Sequence, residues 1–235
     1  SLKGPANFVS KADKRAEEML YEDLAKARPG YGFIGEEGGA REGADKSHTW
    51  IVDPLDGTTN FLHGIPQFAI SIALAREGTV IAGVIYNPAN DELYIAERGK
   101  GAFLNDKRLR VSGRREMASA LFATGLNLGP NGNPPLFYAQ YAALTQISAG
   151  IRRFGSAALD LCLVAAGRLD AHYEHGLHVW DWAAAALIAT EAGAVLVMPE
   201  PDEEDRAGLL VAAAPGIAAQ LLDALDRCGG LAPLD

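Results

Sequence analysis

Two carboxylates three residues apart, Asp53 and Asp56, close the apolar run Trp50-Ile51-Val52 and are followed by Gly57, Thr58, Thr59 and Asn60. Like charges so close repel unless something positive lies between them. A hard divalent cation such as Mg²⁺ suits the pair: it takes carboxylate and carbonyl oxygens, keeps waters and completes its shell with substrate phosphate. The competing role is an acidic turn, because Asp, Pro, Gly, Thr and Asn are the usual turn residues. Glu36 and Glu37 end a second apolar run, Phe33-Ile34-Gly35, and offer either a solvated loop or a third carboxylate for a multi-metal cluster. That run lacks the lysine of a phosphate-cradling loop and carries the wrong charge for one. Asp13 and Asp181 fall near the starts of helical segments, where an acid caps the helix or complements its dipole. A helix start would also place Asp181 accurately as a metal ligand. Gly155 and Ser156 precede another helix, where free N–H groups meet an anion or polar ligand, or Ser156 simply caps. His172, His175 and His178 recur at threes, but on a strand-to-loop segment they share no face, so zinc is not assigned to them. His63 reads as a bystander in a loop.

These groups depend on the elements that carry them. Ala12, Ala16, Met19, Leu20 and Leu24 give helical spacing up to Pro29-Gly30. Trp50 to Val52 reads as a buried strand with Asp53 at its end and Asp56 brought back by a Pro-Gly turn. Arg41 to Ser47 reads as a mobile charged loop. Phe68 to Ala75 and Thr79 to Tyr86 form a hairpin about Gly78, and Glu92 to Glu97, Ala102 to Leu104 and Arg108 to Val111 extend an antiparallel scaffold. Ala118 to Thr124 is a strand, Gly125 to Pro135 a loop and Leu136 to Ser148 a helix. A helix opens over Ile151 to Asp160 and runs to about Gly167. Leu169 to Glu174 is a strand ending in an acid, and the Asp181 helix runs to Glu191 and stops at Gly193. Val195 to Met198 and Leu209 to Ala214 are strands, with an acidic loop from Pro199 to Arg206 between them and a closing helix from Ile217 to Leu225.

The chain has 235 residues, 49% of them hydrophobic, enough for a sizeable core in one large domain or two intimately packed lobes. Its net charge of −9, with no basic block longer than a pair, argues against a nucleic-acid surface. It leaves room for an anionic substrate, because bound cations reverse the local field. Cys162 and Cys228 lie far apart and read as free thiols of a reducing cytoplasm. No apolar run approaches a membrane helix, and the start has no signal-peptide core. The expected architecture is an α+β N-terminal half followed by a layered α/β C-terminal half.

Ser10-x-Ala12-Asp13, Gly35-Glu36-Glu37 and Asp53-Pro54-Leu55-Asp56-Gly57-Thr58-Thr59-Asn60-Phe61 resemble successive signatures of the inositol monophosphatase family, part of the Mg²⁺-dependent, lithium-sensitive sugar phosphatases. Gly155-Ser156-Ala157-Ala158, Glu174, the Trp180 to Ala184 segment and Glu191-Ala192-Gly193 continue the likeness over roughly residues 7 to 225. The resemblance implies a five-layered α-β-α-β-α sandwich, a single domain over 1–235 with lobes at about 1–145 and 146–235, and two or three Mg²⁺ ions. It implies that Glu36, Asp53 and the Leu55 carbonyl hold one ion, that Asp53, Asp56 and Asp181 hold another, and that a third, weaker ion leans on Glu36. Thr58, paired with Asp13, would activate water together with Glu36, with Glu37 close by. Gly57 and Thr58 N–H groups would hold phosphate. Asp56, Gly155, Ser156, Ala157 and Glu174 would contact substrate hydroxyls. Glu174 favours a small polyol phosphate, myo-inositol 1-phosphate first, over histidinol phosphate, the runner-up, and over sugar bisphosphates or nucleotide phosphates. A metal-dependent binding protein is the non-enzymatic alternative, and the Thr58–Asp13 pair argues against it. The resemblance further implies a homodimer, and the family usually begins with a long helix that is absent here. Ala185 and Ala194 stand where the family usually has glycine, and Trp182 is bulkier than usual, departures expected to tighten the pocket or shift a helix.

Overall fold

From Ile51 to Leu55 successive residues are buried on alternating sides, so the strand needs apolar cover on both of its faces. Two sheets and three helical layers provide that cover in a computed structural model, which describes residues 2–4, 7–8, 11–128, 132–198 and 208–229. Ser10, the centre of the Gly125 to Pro135 loop and the whole Pro199 to Arg206 loop fall outside these residues.

In chain order the elements are β1 (Leu2–Gly4), β2 (Asn7–Phe8), α1 (Lys11–Ala27), β3 (Tyr31–Gly35), β4 (Gly39–Arg41), β5 (Asp45–Asp56) and α2 (Thr58–Leu62). The meander follows as β6 (Ala69–Arg76), β7 (Thr79–Asn87), β8 (Glu92–Glu97), β9 (Gly101–Leu104) and β10 (Lys107–Arg108). A 3₁₀ turn at Met117–Ser119 leads to β11 (Leu121–Thr124), α3 (Pro134–Ile147), β12 (Gly150–Arg152), α4 (Ala157–Ala165) and β13 (Ala171–His175). The chain continues as α5 (Val179–Glu191), β14 (Val195–Val197), β15 (Leu209–Ala213) and α6 (Pro215–Asp226).

The larger sheet runs β10-β9-β8-β7-β6-β5-β3-β4, antiparallel except where β3 lies parallel to β5. The smaller runs β12-β11-β13-β15-β14, with β11 parallel to both its neighbours. Helix α1 covers the outer face of β3 and β5, α4 and α5 lie between the sheets, and α3 and α6 cover the far face of the smaller sheet. That is the five-layered sandwich. The two buried clusters fit it: Ala123, Leu210 and Ala212 face α4 and α5, whereas Phe122, Tyr173 and Val211 face α6.

The middle layer is thin because α5 is built from alanine. Ala183 to Ala186 and Ala189 are buried, and a Cβ added at Gly83 of β7 would stand 2.7 Å from the Ala184 carbonyl oxygen. Glycine lets the strand backbone and the helix backbone meet directly. Ala185 takes its place in this layer, fully buried, while Ala194 and Trp182 pack on the same core from its edge.

Two elements depart from the sequence reading. Arg41 to Ser47 is not a mobile loop: it supplies the end of β4 and the start of β5, and the Asp45 N–H donates to the Gly30 carbonyl at 2.8 Å. Residues 150–152, read as the opening of a helix, form β12 instead. The β-branched Ile151 pairs with Phe122 of β11, and the helix waits for Ser156. Both cysteines are free, Cys162 buried and Cys228 partly so. No helix among the described residues is long and apolar enough to cross a membrane.

Candidate active site

Asp53 and Asp56 sit on one continuous strand, where residues three apart normally point to opposite faces. A β-bulge resolves this. Asp53 pairs with Ser71 and Asp56 with Ala69, so β5 carries one residue more than β6 between the two pairings. The extra residue restores the parity and turns both acids to the same side. The expected Pro-Gly turn is therefore a bulge, and the strand ends only at Asp56. Gly57 then takes φ 90°, and a Cβ there would meet the Gln67 carbonyl oxygen at 2.8 Å, so glycine is required on both counts.

Asp53 is 2% exposed, its Oδ1 accepting the Leu55 N–H at 2.8 Å. Burial, then the charges of Asp56, Glu36 and Asp181, push its carboxyl well above the usual range. Asp181 lies in the first turn of α5, where its Oδ2 accepts the His178 N–H at 2.7 Å. It is raised likewise, by burial first and then by Asp56. Asp56 is raised to about 6 by burial, held back by the hydrogen bonds it accepts. Those come from Ser156 Oγ at 2.5 Å and the Ala158 N–H at 2.8 Å. Ser156 also caps α4, with its Oγ accepting the Leu159 N–H at 3.4 Å, the capping role read from sequence.

The Thr58 hydroxyl lies 2.9 Å from Asp13 Oδ1 and 3.1 Å from the Leu55 carbonyl, a choice of two acceptors for its one proton. Asp13 is fully buried in the first turn of α1. Glu36 follows β3 and lines the same cleft, as do Asp56, Gly57, Thr58, Gly155, Glu174 and Asp181. The cleft holds about 320 Å³, and Arg153 and Trp180 also line it. Ser156 and Ala157 are buried and turned to Asp56 rather than to the cleft. Glu37 is half-buried, and its N–H is tied to α1. His63 ends α2, away from the cleft lining. His172 and His175 lie on opposite faces of β13, reaching Asp160 and Gln140 respectively, which leaves no zinc triad.

Two residues that the sequence did not single out hold the site together. Glu17, 3% exposed on α1, accepts the Glu37 N–H at 2.8 Å and the Gly38 N–H at 2.6 Å, fastening the turn that presents Glu36. Its signal was faint: an acid one helical turn after Asp13, on the same helix face. Asn60 donates from Nδ2 to the Gln67 carbonyl at 2.8 Å and the Phe154 carbonyl at 2.7 Å, joining the acidic strand to the segment before α4.

Hard oxygen donors that raise one another's pKa match a divalent cation. Among the described residues no three His, Cys, Asp or Glu side chains close on a single point. An all-oxygen donor set suits Mg²⁺, which keeps several waters and takes few protein ligands, better than the nitrogen and sulfur ligation of a closed tetrahedral zinc site.

Comparison with known proteins follows the same lines. Residues 1–229 match the family model described as the inositol monophosphatase family. A Mesorhizobium japonicum protein named inositol-1-monophosphatase is 57% identical over 196 residues, covering 82% of this chain and 73% of that one. A Pasteurella multocida protein named Nus factor SuhB is 43% identical over 229 residues, covering 97% of this chain and 86% of its own. The crystal structure of extragenic suppressor protein suhB from Bartonella henselae superposes with a TM-score of 0.90 at 49% identity, over 97% of this chain and 89% of that one.

Proposed function

The chain belongs to the inositol monophosphatase family, a family of phosphatases, and we propose that it is a Mg²⁺-dependent phosphomonoesterase acting on a small polyol phosphate, myo-inositol 1-phosphate first. The observation that carries this reading is the bulged strand that turns Asp53 and Asp56 to one side, beneath Asp181 and beside the Thr58–Asp13 pair. Glu36, Asp53, the Leu55 carbonyl, Asp56 and Asp181 would hold the ions. Bound there, divalent cations lower the pKa of water and offset charge on the phosphate and the leaving oxygen. Thr58, held by Asp13, and Glu36 orient the attacking water and take its proton. The N–H groups of Gly57 and Thr58 donate to phosphate oxygens, where negative charge accumulates in the transition state. Glu174 and the Gly155 region receive the hydroxyls of the alcohol. Arg153, which opposes the rise in the Glu174 pKa, weighs against the ammonium group of histidinol phosphate. A cytoplasmic homodimer completes the reading.

The test is phosphate release, with and without Mg²⁺, from myo-inositol 1-phosphate, histidinol phosphate, fructose 1,6-bisphosphate and 3′-phosphoadenosine 5′-phosphate. A lead in kcat/KM for inositol phosphate that vanishes without Mg²⁺ is the expected result. A lead for histidinol phosphate replaces the substrate, and no Mg²⁺-dependent turnover on any of them sinks the reading.

A further inference from the structure

His172 is a polar residue in an apolar layer. It is fully buried on β13, facing α4, and neither ring nitrogen makes a well-formed hydrogen bond. Asp160 of α4 is also buried, with its Oδ1 unpartnered. Buried polar groups are rarely left unpaired, because each gives up its solvation with nothing in return. The groups set against the imidazole are two carboxylates. Asp160 Oδ2 is 3.8 Å from Nδ1, beyond hydrogen-bond distance, and Glu174 Oε2 is 3.4 Å from Nε2, within reach but off the axis of donation.

The strand explains the alignment. His172 and Glu174 are two residues apart on β13, with no bulge between them in its pairing with β15, so both project to the α4 side. Glu174 is nearer the strand's end, its side chain 13% exposed where it lines the cleft. Its carboxylate lies directly over Gly125: a Cβ there would stand 1.8 Å from Oε1 and 2.5 Å from Oε2. The carboxylate thus rests on bare backbone on one side and meets an imidazole on another. Burial holds His172 neutral, with a pKa lowered to about 3, and raises Asp160 well above the carboxylate range. A neutral ring carries one N–H, and Nε2 lies nearer a carboxyl oxygen, 3.4 Å from Glu174 against 3.8 Å between Nδ1 and Asp160, so the N–H belongs on Nε2, toward Glu174.

We propose that His172, backed by Asp160, is a positioning residue for Glu174, holding its carboxylate over Gly125 so that it receives the hydroxyls of the substrate's alcohol. The inference rests on the polyol phosphatase reading for its consequence, and it makes His172 a determinant of preference among alcohols rather than of phosphate hydrolysis itself.

Two measurements test it. In the first, kcat and KM are compared for myo-inositol 1-phosphate and p-nitrophenyl phosphate in the wild type, His172→Phe, His172→Gln, Glu174→Gln and the double variant His172→Phe/Glu174→Gln. Loss of the aligning contact predicts that His172→Phe raises KM for inositol phosphate about tenfold and affects the aryl ester several-fold less. His172→Gln, which keeps an N–H near the Nε2 position, recovers most of the loss, and His172→Phe adds nothing once Glu174 is Gln. Equal losses on both substrates, additive losses in the double variant or no loss at all overturn the proposal. The second measurement is the ¹⁵N NMR spectrum of the histidine-labelled protein, which reads the contact whatever the physiological substrate and without a core substitution at His172. A neutral Nε2–H ring whose Nε2 resonance moves in Glu174→Gln supports the proposal. A protonated ring, an Nδ1–H tautomer or a resonance indifferent to Glu174→Gln refutes it. Absence of wild-type turnover on every phosphate ester overturns the enzymatic reading instead, and the NMR result still decides the His172 contact.

Discussion

The Thr58 hydroxyl has one proton and two acceptors, and whichever it takes leaves an oxygen lone pair directed by the bond. In the proposed function that lone pair acts on water, not on ground-state binding. Thr58→Ala is therefore expected to lower kcat about 10²-fold or more with little change in KM, as loss of general base assistance does. An unchanged kcat in steady-state kinetics would remove Thr58 from that role. Asp53→Asn should abolish Mg²⁺-dependent turnover while circular dichroism shows the fold intact, since the amide removes an anionic donor and keeps the shape. Glu174 gives a prediction about pH. Its pKa rises from 4.5 to about 8, so the folded state keeps a proton that the unfolded chain releases. Stability on this account is full below pH 4.5 and falls as pH rises toward 8. His172 and His175, lowered to about 3 and about 4, act in the opposite sense but only below their ordinary 6.5. In chelator, denaturant titrations should show the wild type losing about 1–2 kcal/mol more than Glu174→Gln between about pH 6.5 and 8. Parallel pH profiles for the two proteins would deny Glu174 its shifted titration.

At the scale of elements, the acidic strand works because it is irregular. The alternation of β5 and the spacing of its two acids are incompatible without the bulge between Asp53 and Asp56. The sequence showed a break at Pro54 and Gly57, but a turn and a bulge share those residues, and only pairing with β6 separates them. The meander and its hairpin at Gly78 were legible because alternation and turn chemistry are local signals. β12 was not: three residues become a strand by lying beside β11, a long-range fact that periodicity does not carry. Glu36, Asp56, Thr58, Gly155, Glu174 and Asp181 line one cleft, with Asp13 bonded to Thr58, whereas Glu17 and Asn60 act through backbone groups, which leave no side-chain pattern to read. Glu17 yields a further expectation. Glu17→Ala frees the Glu37 and Gly38 N–H groups and unties the Glu36 turn from α1, and should weaken Mg²⁺ binding about tenfold or more by calorimetric titration. Magnesium affinity equal to wild type would leave Glu17 with a purely structural part.

At the scale of the molecule, the candidate ligands come from distant elements: Glu36 after β3, Asp53 and Asp56 from β5 of the larger sheet, and Asp181 from α5 in the middle layer. Any ion they share is bound only when those layers are in register, so binding is linked to folding as a whole. Mg²⁺ at 100 times its Kd should add about 2.7 kcal/mol of stability. Calorimetry should show this as an upward shift of one transition rather than of half the molecule. Two transitions, only one of them responding, would instead assign separate folding units to the halves. The same architecture makes α5 a gauge block. Its alanines set the distance between the sheets, and at Ala184 the gauge touches strand backbone with no side chain to absorb an error. Pocket shape can therefore drift freely in the rim formed by Leu126 to Leu128 and Arg153, whereas one methylene added to the face of α5 changes the height at which Asp181 is carried. Variation that retunes substrate choice belongs to the rim and to the His172–Glu174 pair behind it. Variation in the gauge, however conservative it looks, reaches the chemistry from the inside.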